Sequence, residues 1–190
     1  MGKAATTRET ILERSVDLAS SEGLEGLTIG KLANDLHMSK SGLFAHFGSK
    51  QELQLATIEA AAARFAAEVV VPAQAFPEGA PRLRAYCERY LDYLEAGVFA
   101  GGCFWAATSA EFDDRPGPVR DAVRAGVLAW TGELERQAAI AGVENPAALS
   151  FEIYSLVLGA NACSRLLSKD ALSHARAAIA QRLQELDWRS

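Results

Sequence analysis

The chain has 190 residues, 49% of them hydrophobic, and a formal net charge of −5. This length can bury a sizeable core, as one domain or as a small module beside a larger one, and the acidic balance excludes a protein that coats nucleic acid through bulk charge. No run is apolar enough to span a bilayer, the first twenty residues are too polar for a signal peptide, and the three cysteines and three histidines are spaced for neither a disulfide framework nor a metal site. The expectation is a cytoplasmic protein with no membrane, metal or cofactor.

Charge is unevenly distributed. Residues 1–50 balance Lys3, Arg8, Arg14, Lys31, Lys40 and Lys50 against Glu9, Glu13, Asp17, Glu22, Glu25 and Asp35, so all the net negative charge lies further on. Thr6 and Glu9 have capping-box spacing for a first helix through about Ser21, striped by Ile11, Leu12, Ser15, Val16, Leu18 and Ala19, and Gly23 ends it. Residues 28–47 then read as two short helices joined by a tight turn. Thr28 and Ser39 are N-caps, and the pairs Leu27 with Leu32 and Met38 with Leu43 have hydrophobic-staple spacing. Ala33 is small enough for a close helix crossing, and His37 stands in the turn where a left-handed residue is needed. The second helix, 40–47, turns Leu43 and Phe47 inward and Lys40, Ser41, Gly42, Phe44 and His46 largely outward. Such a face, with donors near a helix N-terminus, fits the DNA major groove; a bare helical hairpin with the same caps and anchors also occurs in other all-α proteins.

Ser49 and Glu52 repeat the capping-box spacing and open a long fourth helix carrying Leu55, Ile58, Ala62, Phe65 and Val69 on one face. All six prolines fall at 72–81, 116–118 and 146, and they divide the remainder into helices. One is striped by Leu83, Cys87, Tyr90 and Leu94, a short apolar one runs over 104–112, and another carries Val119, Val123, Val127, Trp130 and Leu134. The last two, about 147–167 and 171–186, pair an almost uniformly apolar helix containing Gly159, Ala160 and Ala162 with one repeating Leu172, Ala175, Ile179, Leu183 and Leu186. That pairing suits a surface completed as a four-helix bundle by a second subunit, or else an intramolecular core. No convincing alternation of period two is present. The fold class is therefore all-α.

No GxSxG, HExxH, CxxC, P-loop or dinucleotide motif is found, so no catalytic residue is nominated and an enzyme is not expected. Most aromatic residues after position 60 are core, but helical bundles hold ligands in apolar pockets between helices. Phe65, Tyr86, Tyr90, Phe104, Trp105, Phe112, Trp130 and Tyr154 are the candidate lining of such a pocket. Cys103 follows Gly101 and Gly102 at the start of the 104–112 helix, where the helix dipole favours a thiolate. It is a candidate redox sensor, set against packing as a small buried residue.

A first helix followed by LTIGKLANDLHMSKSGLFAHFGSKQEL and a larger, less basic helical domain resembles TetR-type (TetR/AcrR) transcriptional repressors. The likeness is close over about the first fifty-five residues and one of length and layout beyond them; GGCFWAATSAEFDDRPGPVRD is similar to a segment of one subgroup whose inducers are mostly unassigned. The resemblance implies an N-terminal three-helix DNA-binding head over residues 1–48 and a helical ligand-binding and dimerisation domain over 49–190. It also implies a homodimer through the last two helices, a palindromic double-stranded operator and release by a small-molecule inducer. Carried over by position, Lys40, Ser41 and Gly42 start the recognition helix, with Thr28 and Ser39 as caps able to meet phosphate. Phe44 stands where a phosphate-bonding Tyr is usual, His46 where His or Tyr meets the backbone, and Lys50 where a Lys meets phosphate. Gly30 replaces a polar side chain that often reaches DNA. Gly30 and Phe44 keep a second reading open, a binding or adaptor protein with a degenerate helix-turn-helix and no operator.

Overall fold

The computed structural model describes residues 3–184, with side chains from residue 7. Every regular element among them is helical: α1 (Lys3–Glu22), α2 (Ile29–Asp35), α3 (Lys40–Phe47), α4 (Lys50–Phe65), α5 (Val71–Ala73), α6 (Ala80–Glu95), α7 (Phe104–Phe112), α8 (Pro118–Ile140), α9 (Pro146–Leu166) and α10 (Asp170–Gln184). The boundaries follow the caps and breakers. Thr28, Ser39 and Asn145 accept backbone N–H bonds as N-caps, and the Ser49 hydroxyl accepts the Glu52 amide at 3.0 Å. Two details differ from the sequence reading. α1 begins before Thr6, so that residue lies inside the helix rather than capping it, its side chain being outside the described residues, as is Leu186. Pro72 does not end the fourth helix either. A π-helical turn over Ala66–Val70 joins α4 to α5, and Pro72 sits at the start of α5. In an unbroken α-helix the proline ring strikes the carbonyl four residues back, and the wider turn relieves that clash.

Packing divides the chain into two compact units, residues 1–64 with 99–126 and residues 65–98 with 127–190. The first unit is built on Ile11, Leu24, Leu27, Leu32, Leu43 and Leu53, all at most 2% exposed. Truncating such a leucine to alanine costs about 2–5 kcal/mol, so each anchors its element. Residues 99–103 lie directly on the end of α1. The Gly101 amide donates to the Ser20 hydroxyl at 2.9 Å, and a Cβ at Gly101 would stand 1.7 Å from the Ser20 carbonyl oxygen. Arg64 completes this side, its guanidinium 4.8 Å from the Phe99 ring centre and 3.3 Å from Asp17.

In the second unit α6 is the central helix, burying Leu83, Tyr86, Cys87, Tyr90, Leu91 and Tyr93. Gly79, with φ +85°, starts it, and the buried Gln137 side chain accepts the Gly79 amide at 2.7 Å. α10 packs on α6 and α9. Arg176 of α10 reaches Glu88, Asp92 at 3.0 Å and Glu95 at 3.4 Å on α6, and Arg182 reaches Glu152 on α9 at 2.9 Å. These are surface pairs, each of the order of 0–1 kcal/mol, and they orient α10 more than they hold it.

Candidate nucleic-acid interface and aromatic cluster

The α2–α3 hairpin forms from local chemistry. The Thr28 hydroxyl accepts the Lys31 amide at 3.2 Å, the Ser39 hydroxyl accepts the Gly42 amide at 3.0 Å, and His37 takes φ +54° in the turn, alone in this among the described non-glycine residues. The Met38 amide closes the turn on the Ala33 carbonyl at 2.8 Å. α3 buries Leu43 and Phe47 and leaves Lys40, Ser41, Phe44 and Ala45 exposed, with Gly42 and His46 half-buried. No carboxylate lies on α3. Its outward surface is therefore a short strip of donors around one exposed ring, with Thr28 and Ser39 exposed at the two helix starts.

The lysines differ in their surroundings. The Lys50 ammonium bonds the Glu25 carboxylate at 2.6 Å, and Lys31 pairs with Glu22. Glu25 also faces the Gln54 amide at 3.4 Å and Arg115 at 4.0 Å; the Lys50 bond above all holds its carboxyl below the ordinary glutamate range. Lys40 lies instead over Gly30, where a Cβ would come 3.3 Å from Lys40 Cε. The glycine that removes one side chain from the expected set thus leaves room for the stem of another. Sequence reasoning missed Glu111. Its carboxylate accepts the amides of Leu24 at 2.7 Å and Glu25 at 3.0 Å, while Gln54 donates to the Leu24 carbonyl at 2.9 Å, so α4 and α7 together fix the loop between α1 and α2. Only the absence of a nearby cation for Glu111 in its own helix hinted at this.

The eight aromatic candidates do not form one group. Phe65, Tyr86, Tyr90 and Trp130 come together in the second unit with Tyr93, in edge-to-face pairs at 5.0–5.7 Å. Half-buried Tyr154 belongs to the same unit, whereas Phe104, Trp105 and Phe112 belong to the first, Trp105 covering Gly126 so closely that a Cβ there would be 2.3 Å from its ring. The Trp130 indole N–H is buried with no acceptor among the described residues. Tyr86 donates to Glu133 at 2.9 Å; burial, reinforced by that carboxylate, pushes its phenol up to about 12. Burial also pushes Glu133 upward, but bonds from Arg136, Gln137 and Tyr86 outweigh it and hold the carboxyl below its ordinary value.

Because the folded phenol keeps its proton above the unfolded value of about 10, its contribution is complete below pH 10 and is lost as pH rises toward 12. Stability measured by denaturant melts from pH 9 to 12 should therefore fall in this window, and less steeply in Tyr86→Phe. Equal slopes would show that Tyr86 is not the group involved.

Cys103 is the N-cap of α7 and 1% exposed. Cys87 is buried as well, its thiol pushed up to about 12 by desolvation, and Cys163 is half-buried.

Among the described residues no group of His, Cys, Asp and Glu is arranged to hold a metal ion, and no helix is long and apolar enough to cross a membrane.

The chain matches the family model described as "Tetracyclin repressor-like, C-terminal domain" over residues 79–179 and that for "Bacterial regulatory proteins, tetR family" over residues 11–57. No curated protein matched. Among solved structures, a TetR transcriptional regulator from Chloroflexus aurantiacus superposes with TM-score 0.88 at 24% identity, covering 97% of each chain. A TetR-family regulator from Streptomyces coelicolor does so with TM-score 0.83 at 22% identity, covering 94% of this chain and 95% of that one. AibR, solved in complex with isovaleryl coenzyme A and operator DNA, has TM-score 0.72 at 20% identity, covering 90% and 95%. These likenesses establish the shared fold. With family models matching both the helix-turn-helix end and more than half of the chain, this protein belongs to the TetR family and is a DNA-binding transcriptional regulator rather than an enzyme.

Proposed function

We propose that the protein is a repressor that binds a palindromic double-stranded operator as a homodimer and releases it when a small molecule occupies the second unit. The observation that carries the reading is the capped α2–α3 hairpin, in which α3 buries two apolar anchors and turns a carboxylate-free face outward. Lys40, Ser41, Gly42 and Phe44 form the groove-facing set, with His46 against the DNA backbone and Thr28, Ser39 and Lys50 meeting phosphates. In functional terms the DNA-binding head is residues 1–48 and the regulatory body 49–190, which opens with α4 directly after the recognition helix.

A second copy of the chain would cover the face of α9 and α10. An open groove of about 610 Å³ lies there, lined by Leu156, Gly159 and Cys163 of α9 and Ala171, Ala175 and Ala178 of α10, and at its edge Leu167 is 77% exposed. The effector site is read from the aromatic cluster, where the buried Trp130 N–H offers a donor to an apolar or aromatic ligand carrying an acceptor. AibR, which has the same fold, takes both an acyl-coenzyme A and an operator.

A mobility-shift assay with the DNA flanking the protein's own gene tests the reading. Retention that a ligand reverses supports it, and no shift at any salt concentration favours the adaptor reading. Lys50→Ala should weaken binding to every duplex and lower the salt slope by about one, since one phosphate contact releases about one counterion. Glu25→Gln should act oppositely, tightening binding about three- to fivefold at low salt, because Lys50 no longer has to leave a carboxylate worth up to about 1 kcal/mol. An unchanged salt slope in Lys50→Ala removes that residue from the contact set.

A further inference from the structure

We infer that Phe44 reads thymine C5-methyl groups in the major groove, a step that rests on the operator-binding reading. α3 has three large apolar side chains. Leu43 is 0% and Phe47 7% exposed, and these two anchor the helix; Phe44 is 52% exposed and takes no part in that core. It stands one helical turn beyond Lys40, beside exposed Ser41 and Ala45, on a helix without a carboxylate. A phenyl ring offers no donor to a phosphate and no hydrogen bond to a base edge. The one apolar feature that a major groove presents is the thymine methyl, and a phenyl ring matches it on a side chain that extends well beyond the reach of an alanine at the same position.

The neighbouring residue sharpens the assignment. Lys40 stands four residues before Phe44 on the same strip, its side chain lying over Gly30 with the ammonium nitrogen 3.6 Å from where a Cβ there would stand. The lysine is exposed beside the ring and has no carboxylate on its own helix. A lysine that reaches a base edge prefers the O6 and N7 acceptors of guanine. One turn of helix rises about 5.4 Å and one base step about 3.4 Å, so the guanine met by Lys40 and the thymine met by Phe44 should lie one to two base pairs apart in each half-site.

The test is selection of duplexes from a randomised double-stranded library by the full-length wild-type protein, followed by affinity measurements at fixed salt on the enriched duplex and on the same duplex with thymines replaced singly by deoxyuridine, which lacks only the methyl. Wild type should lose about fourfold for each contacted methyl, the equivalent of one buried carbon. Phe44→Ala, an exposed change whose folding is checked by its thermal melt, should bind the thymine duplex as weakly as wild type binds the deoxyuridine one and show no further loss. Phe44→Tyr, which keeps the ring, should retain the sensitivity. Equal affinity of wild type for both duplexes, or the same deoxyuridine penalty in Phe44→Ala, would overturn the methyl readout while leaving operator binding intact. Failure of wild type to enrich any duplex would overturn the operator-binding reading, and the methyl readout with it.

Discussion

Replacing Gly101 by alanine is expected to lower the melting temperature by about 6–12 °C. The added Cβ would lie 1.7 Å from the Ser20 carbonyl oxygen and 2.4 Å from the Ser21 nitrogen, both backbone atoms at the end of α1, so no rotamer change can clear it. Overpacking ordinarily costs about 1–3 kcal/mol, and a clash with backbone belongs at the top of that range. At about 2–4 °C per kcal/mol for a chain of this size, the shift follows. The strand of chain at 99–103 must move off α1, which also removes the bond from the Gly101 amide to Ser20. Gly132→Ala is the control. Gly132 lies within α8, a Cβ there meets nothing within 4 Å, and its φ is ordinary, so alanine should be neutral or stabilising by up to about 1 kcal/mol. A Gly101→Ala protein that melts with wild type would mean that residues 99–103 do not press on α1 in solution.

Gly159→Arg should leave the single chain folded and abolish the homodimer. A Cβ at Gly159 meets no atom within 4 Å, and in a helix interior arginine is favoured over glycine by somewhat under 1 kcal/mol, so the subunit itself has no reason to unfold. If a second copy covers the groove between α9 and α10, the guanidinium is buried in an apolar, small-residue surface, where an unpaired charge is costly. Sedimentation at micromolar concentration should move from dimer to monomer. Operator affinity should fall by about 100- to 10,000-fold, since the two half-sites are no longer engaged by tethered heads. A variant that still sediments as a dimer would place the subunit interface elsewhere.

The features legible in the sequence were those set by residues within a turn or two of one another. Thr28, Ser39 and Ser49 each cap a helix through an amide three residues on, and His37 is left-handed because it follows the C-cap of α2, where the Met38 amide turns back to the Ala33 carbonyl. The inward anchors Leu43 and Phe47 follow from a spacing of four. These short-range relations carry the all-α class and the outward face of α3, because each depends on one hydrogen bond or one helical period. Tertiary structure decided what depends on groups far apart in the chain. It gathered Phe65, Tyr86, Tyr90 and Trp130 while placing Phe104, Trp105 and Phe112 in the other unit, since hydrophobicity drives burial without specifying a partner. Glu25 took hold of Lys50, Glu111 of the Leu24 and Glu25 amides, and Lys40 came to rest over Gly30, none of which leaves a periodic trace. The π turn before Pro72 belongs to the same class: a proline alone reads as a helix end, and the helix continues because Phe65 and Ala73 on either side of that turn, and Val69 within it, are all buried. The caps at Thr28, Ser39 and Ser49 determined where α2, α3 and α4 begin and helical period turned Phe44 outward; contacts between residues distant in the chain determined which lysines are paired and which aromatic rings share a core.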